Sequence, residues 1–289
     1  MRFINFKMDQ KNGLAVNTGI GANTGFIGLL NDHPDYPGSL ESLIVNGPQA
    51  LDTAAASLQR GFTLDLEKIT YLAPLENPGK IICIGLNYVD HSLESGFEVP
   101  HYPAIFSRFN SSLIGHNTAI IRPKVSEQLD YEGELVAVIG KAGRHISKEN
   151  ALDHVIGYSL FNDGSIRDYQ RKSAQWTIGK NFDGTGAFGP LFVTSDELPP
   201  GADGLKIQTR LNGVVVQDAS TSSLIFNVAT LVQLLSEAVC LQPGDVIVTG
   251  TPSGVGVARK PPLFMKHGDV CEIEVEGIGV LSNPVRDER

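Results

Sequence analysis

Cysteine is scarce in this 289-residue chain: there are three, Cys83, Cys240 and Cys271, far apart and set in apolar runs. An odd, scattered set excludes a disulfide framework and shows no zinc-ligand spacing, so the thiols read as buried and reduced. Long hydrophobic runs are also missing. No window approaches the roughly 20 apolar residues of a membrane span, and the opening MRFINFKMDQ lacks the apolar stretch of a signal peptide. These absences set the expectation of a cytoplasmic protein. Positive charge is in deficit, with a net charge of −9. That argues against nucleic acid or an anionic membrane as the main partner while leaving room for a local positive pocket. The chain contains no G-x-S-x-G elbow, no H-E-x-x-H, no Walker A loop and no cysteine near a histidine in sequence. A serine, zinc or cysteine hydrolase therefore has no positive support. There is no internal repeat and no low-complexity tract.

What remains is an ordinary globular composition, 42% hydrophobic and 19% charged, long enough to bury a large core. Short strands and turns (RFINFK, GLAVNT) and an amphipathic stretch from Leu40 to about Arg60 suggest a small leading domain over residues 1–75. The Pro- and Gly-bearing segment LAPLENPGK reads as a linker into a main domain over 76–289. Candidate strands there are IICIGL, AIFSRF, LVAVIG, VIGYSLF, LKIQTRLN, VVVQDA, DVIVTG and VCEIEVEG, with Asn212-Gly213 as a hairpin turn. Helical spacing appears in LIFNVATLVQLLSEAVC, and shorter helices are expected across Lys148 to Val155 and around Arg167 to Lys172. The expected class is α+β with a β-rich core.

Candidate chemistry concentrates in DYEGELVAVIG. Glu132 and Glu134 are two apart at the mouth of an apolar strand, so both point to one face, and Asp163 closes a second run, VIGYSLFND, that can lie alongside. Three buried carboxylates need a cation, and all-oxygen ligation selects a hard ion such as Mg²⁺, Mn²⁺ or Ca²⁺. A solvated strand edge is the ordinary alternative. In NYVDHSLESG, His91 and Glu94 are three apart and share a face of a helical turn, as a general base and its orienting carboxylate would; a plain surface helix would look the same. Lys180, between apolar residues and a glycine-rich stretch, can stabilise a developing anion or simply be solvated. In DVIVTGTPSGVG a strand enters a glycine-rich loop where backbone N–H groups and Thr251 can cradle a carboxylate, or the glycines can mark a sheet corner. Arg108, on AIFSRF, can pair with a substrate carboxylate or sit on an edge strand.

In order, the blocks NYVDHSLE, YPAIFSRF, YEGELVAVIG, LFNDGSIRDYQ, QWTIGKNFDGTGAFGP, LNG and PGDVIVTGTPSGVG resemble the fumarylacetoacetate hydrolase family over about residues 76 to 289. The branch resembled includes acylpyruvate hydrolases, oxaloacetate decarboxylases and hydroxymuconate-type isomerases. The resemblance implies a mixed β-sandwich-like roll, a Mg²⁺ or Mn²⁺ ion, a homodimer and a small anionic 2-oxo acid substrate. It puts Glu132, Glu134 and Asp163 on the metal, Lys180 in the active site, His91 with Glu94 on a mobile lid, and Thr251 on the substrate-binding loop that contacts the substrate carboxylate. Arg108 stands where relatives commonly have lysine, which keeps the charge and changes its geometry. The reading placed first is metal-dependent hydrolysis of a C–C bond in a 2,4-dioxo acid, with water activated by His91 and Glu94. Its alternatives are an oxaloacetate decarboxylase or tautomerase, a hydroxymuconate-type isomerase or decarboxylase, and a non-catalytic keto-acid-binding protein. A structural Ca²⁺ site on an adhesion module would call for an export signal.

Overall fold

The computed structural model describes residues 1–17, 19, 25–94, 96 and 98–289. Strand Gly133–Ile139 shows how the sequence builds its layers. Its odd residues Leu135, Ala137 and Ile139 enter one core, and its even residues Val136 and Val138 enter another, because successive side chains of a strand point to opposite faces. The strand is buried on both faces, so it reads as a continuous apolar run.

It pairs antiparallel with Val155–Asp163 on one side and Val246–Val248 on the other. These belong to a 12-stranded sheet that continues through Gly186–Thr194, Arg2–Met8, Lys11–Asn17, Ile27–Leu30 and Phe62–Thr63 in one direction. In the other direction it runs through Ile81–Gly85 to an edge strand, Ala104–Ser107. A five-stranded sheet, ordered Val214–Ser220, Lys206–Leu211, Val270–Val275, Gly279–Asp287 and Ile120–Arg122, packs over the odd-residue face. Helices Leu40–Val45 and Pro48–Leu58 cover the other face, burying Leu40, Ile44, Leu51 and Leu58 against Val136, Phe161 and Phe188. The result is the β-rich α+β roll expected from the sequence.

The leading segment is stitched into the main sheet, with Arg2 opposite Val193 and Phe3 opposite Phe192. Of the expected strand GLAVNT, Thr18 lies outside the described residues. The hairpin at Asn212-Gly213 forms, with both residues at positive φ (53° and 78°) as a two-residue turn between right-twisted strands requires. The helix expected in LIFNVATLVQLLSEAVC spans Val228–Ala238, starting where the Asn227 side chain accepts from the Thr230 N–H at 3.0 Å. The segment expected as a helix from Lys148 is a 3₁₀ stretch, Lys148–His154. Among the described residues no helix is long and apolar enough to cross a membrane.

Candidate active site

Register assembles the acidic cluster. Gly133 lies opposite Asn162, and the Asp163 N–H donates to the Glu132 carbonyl at 2.9 Å, which sets Asp163 beside Glu132 across the ladder. Glu134, two residues on, shares their face. One carboxylate oxygen from each of Glu132, Glu134 and Asp163 lies within 4.8 Å of the others, and all three residues are buried. These are the residues that could hold a metal ion.

Two short helices bring cations to the cluster. Helix Thr177–Lys180 packs against helix Arg167–Gln170 so closely that a side chain at Gly179 would meet the Gln170 backbone nitrogen at 2.3 Å. Only glycine allows that approach. Lys180 Nζ then donates to Glu132 Oε2 and to Asp163 Oδ2, each at 2.5 Å. Arg167 Nη2 lies 2.7 Å from Glu132 Oε1, and Arg167 Nε donates to Asp130 Oδ2 at 2.8 Å. Asp130 in turn accepts from the N–H groups of Gly256 and Val257, fixing the glycine-rich loop to the same network.

The charges fall unequally on the three carboxylates. Burial alone raises Glu132, but Lys180 and Arg167 outweigh it and hold its pKa down to about 2. Burial also lowers Lys180, and Asp163 and Glu132 outweigh that effect, so its ammonium titrates above the ordinary lysine value. Glu134 is pushed well up, first by burial and then by the like charges of Asp163 and Glu132. Its described hydrogen bond is from the N–H of Gly250, which adopts a φ of 102° to reach it. A hard divalent cation beside Glu134 would supply the compensation that Lys180 and Arg167 give Glu132, so the donor set fits Mg²⁺ or Mn²⁺.

His91 lies on the helix Val89–Glu94 with its Nδ1 2.9 Å from Glu94 Oε1. Together with Glu132, Glu134, Arg167 and Lys180 it lines a cavity of about 120 Å³, walled by Phe106, Trp176, Val255 and Val257. Thr251 lines it too, but its hydroxyl is engaged, donating to the Gly133 carbonyl at 3.0 Å and accepting from Gln217 Nε2 at 2.8 Å. For Arg108 the expected substrate contact gives way to a place behind the triad. Its guanidinium donates to Asp163 Oδ1 at 2.6 Å, to the Gly164 carbonyl, to Thr185 and to Ser112, so its donors face protein and not the cavity.

Sequence reasoning missed Arg167 and Asp130 as parts of the site. The signal was present: Arg167 follows Asp163 by four residues within LFNDGSIRDYQ, and Asp130 opens DYEGE.

With the geometry in place, the comparisons agree on kinship. A family model for the C-terminal domain of fumarylacetoacetate hydrolases matches residues 80–286. The chain belongs to the fumarylacetoacetate hydrolase family. It is 41% identical over 288 residues to a mitochondrial oxaloacetate tautomerase, fahd2, of Xenopus laevis, covering 99% of this chain and 90% of the relative. It is 40% identical over 288 residues to the Homo sapiens mitochondrial oxaloacetate tautomerase FAHD2A, covering 99% and 91%. Among solved structures it is similar to a fumarylacetoacetate hydrolase from Exiguobacterium antarcticum, with a TM-score of 0.85 and 36% identity over the whole of both chains.

These relatives are enzymes, and they correct the cytoplasmic placement expected from the sequence, because they are named mitochondrial. Unpaired cysteines fit a reducing compartment. A reducing organelle interior keeps thiols unpaired as the cytosol does, so the cysteines do not separate the two.

Proposed function

We propose that this protein interconverts the keto and enol forms of oxaloacetate or a closely related 2-oxo acid at the cavity around Glu132, Glu134, Asp163 and Lys180. The observation that carries the reading is one pocket holding an ammonium kept charged by two carboxylates and an imidazole oriented by a third. The relatives' names favour tautomerisation over the C–C hydrolysis placed first from sequence. Hydrolysis needs an attacking water; tautomerisation needs one proton moved between C3 and the 2-oxygen.

The residues suit that task. With Nδ1–H donated to Glu94, His91 keeps Nε2 as a base for the C3 proton. The charge that then develops on the 2-oxygen is stabilised by Lys180, which burial among carboxylates keeps protonated, and by Arg167. Delivering the proton to oxygen gives the enol, and to C3 the ketone. A Mg²⁺ or Mn²⁺ ion held by Glu132, Glu134 and Asp163 would add Lewis-acid polarisation of the 2-oxo group. A mitochondrial setting and a homodimer belong to the same reading, from the relatives' names and the family resemblance respectively.

The test is the ultraviolet absorbance of the enol. Freshly prepared enol-oxaloacetate should lose its absorbance faster with protein and Mg²⁺ or Mn²⁺ than with protein and chelator, with no matching yield of pyruvate. Pyruvate formed in step would mean decarboxylation. Inertness toward oxaloacetate together with cleavage of a 2,4-dioxo acid would restore the hydrolase reading.

A further inference from the structure

We propose that Arg171 is the specificity residue of this cavity and pairs with the second carboxylate of a 2-oxo dicarboxylic acid. This rests on the functional reading above and adds to it the residue that distinguishes a dicarboxylate from a simple 2-oxo acid.

Arg171 and Arg167 are four residues apart across the helix Arg167–Gln170, where the Arg171 N–H bonds back to the Arg167 carbonyl. Residues so spaced share a helix face, and both arginines line the cavity. Their positions differ in depth. Arg167 is buried beside Glu132 and Asp130, whereas Arg171 is exposed at the rim. A cation at the rim of that cavity is placed to meet the far end of an acid whose first carboxylate and oxo group lie at the triad.

Charge singles out the same residue. Of the cationic or imidazole side chains lining the cavity, Lys180 is held by Glu132 and Asp163, Arg167 by Glu132 and Asp130, and His91 by Glu94. Among the described residues Arg171 is the lining cation without a carboxylate partner. The remaining polar lining is the two triad carboxylates, Glu132 and Glu134, and the neutral Gln170 and Thr251, of which Gln170 turns its Oε1 to Arg167. Neighbouring Lys172 does not line the cavity and has its ammonium 3.3 Å from the centroid of the Tyr169 ring. A planar guanidinium with free donors at the mouth of an otherwise neutralised pocket is built to take a second carboxylate two-pronged.

The test uses Trp176, the chain's only tryptophan, which lines the cavity and reports binding without turnover. Tryptophan quenching by fresh oxaloacetate is compared with quenching by 2-oxobutanoate, which replaces the second carboxylate by a methyl group. The proteins are wild type, Arg171→Gln and Lys172→Gln, each with Mg²⁺ and each checked for an unchanged melting temperature. Arg171→Gln should weaken oxaloacetate binding about tenfold, as loss of a charge-assisted pair does, and leave 2-oxobutanoate within about twofold; Lys172→Gln should change neither. Equal weakening for both acids, a like effect of Lys172→Gln, or no effect of Arg171→Gln would overturn the assignment of Arg171 while wild-type binding of oxaloacetate stands. Wild-type protein that binds neither acid would overturn the functional reading, and this inference with it.

Discussion

Glu94 holds His91 and the glycine-rich loop together: its Oε1 lies 2.9 Å from His91 Nδ1, and both of its oxygens accept from the Gly254 N–H at 3.0 and 2.9 Å. The carboxylate that faces the imidazole is therefore also the latch between the helix Val89–Glu94 and the glycine-rich loop. One side chain thus both orients His91 and ties its helix to the glycine-rich loop.

Substitution at Glu94 separates those two roles. Glu94→Gln keeps a side-chain oxygen for the Gly254 N–H but withdraws the carboxylate that orients His91 Nδ1, and should reduce kcat about 10- to 100-fold. Glu94→Ala should reduce it as much and also speed amide exchange over residues 88–94. Unchanged exchange in the alanine variant would show that Glu94 is no latch.

Metal should act through Glu134. Saturating Mn²⁺ or Mg²⁺ should raise the melting temperature of the native protein, by mass action on the folded state. Glu134→Gln should remove most of that response. Because burial, then Asp163 and Glu132, raise the Glu134 pKa, protons compete for the same oxygens, and metal affinity should fall as pH drops. A metal response equal in the two proteins, measured by thermal denaturation, would take Glu134 out of the ligand set.

Arg108 should matter to stability before it matters to binding. Arg108→Ala leaves Asp163 without its arginine in a fully buried place and should cost about 3–5 kcal/mol in urea unfolding. Arg108→Lys should recover part of it. For a residue behind the triad, kcat should fall with KM nearly unchanged; a rise in KM alone would return Arg108 to the substrate.

Acid should loosen the fold through His116. Its Nδ1 accepts from the Ser282 N–H at 3.0 Å, and burial lowers its pKa from 6.5 to about 4. The unfolded chain therefore takes up a proton first. Stability is full above pH 6.5 and falls as pH drops toward 4. Each pH step of one between those limits removes about 1.36 kcal/mol, so the whole loss is up to about 3 kcal/mol. Urea titrations across that window should show a smaller loss in His116→Asn, whose side-chain oxygen can accept the same N–H.

Some of this was legible in the sequence for plain physical reasons. A period of two fixes which residues share a face, so Glu132 and Glu134 were certain to point together once Gly133–Ile139 was a strand. What the sequence hid was long-range partnership. Arg108 and Thr251 each carry groups suited to a substrate, and only the fold shows them engaged by Asp163, 55 residues away, and by Gln217, 34 residues away. The strand Gly186–Thr194 was hidden for another reason: its glycines and Pro190 mimic a loop, yet it lies between Arg2–Met8 and Val155–Asp163 in the sheet. There, packing outweighs intrinsic propensity.

The contact at Gly179 fixes more than a helix crossing. Because two backbones touch there, the spacing between Lys180 and Arg167 is set by the main chain and not by the rotamers of two long, flexible side chains. The pocket's electrostatic field is thus gauged by the absence of one methyl group, and a single alanine at that position would detune every charge around Glu132 without altering any group that carries one.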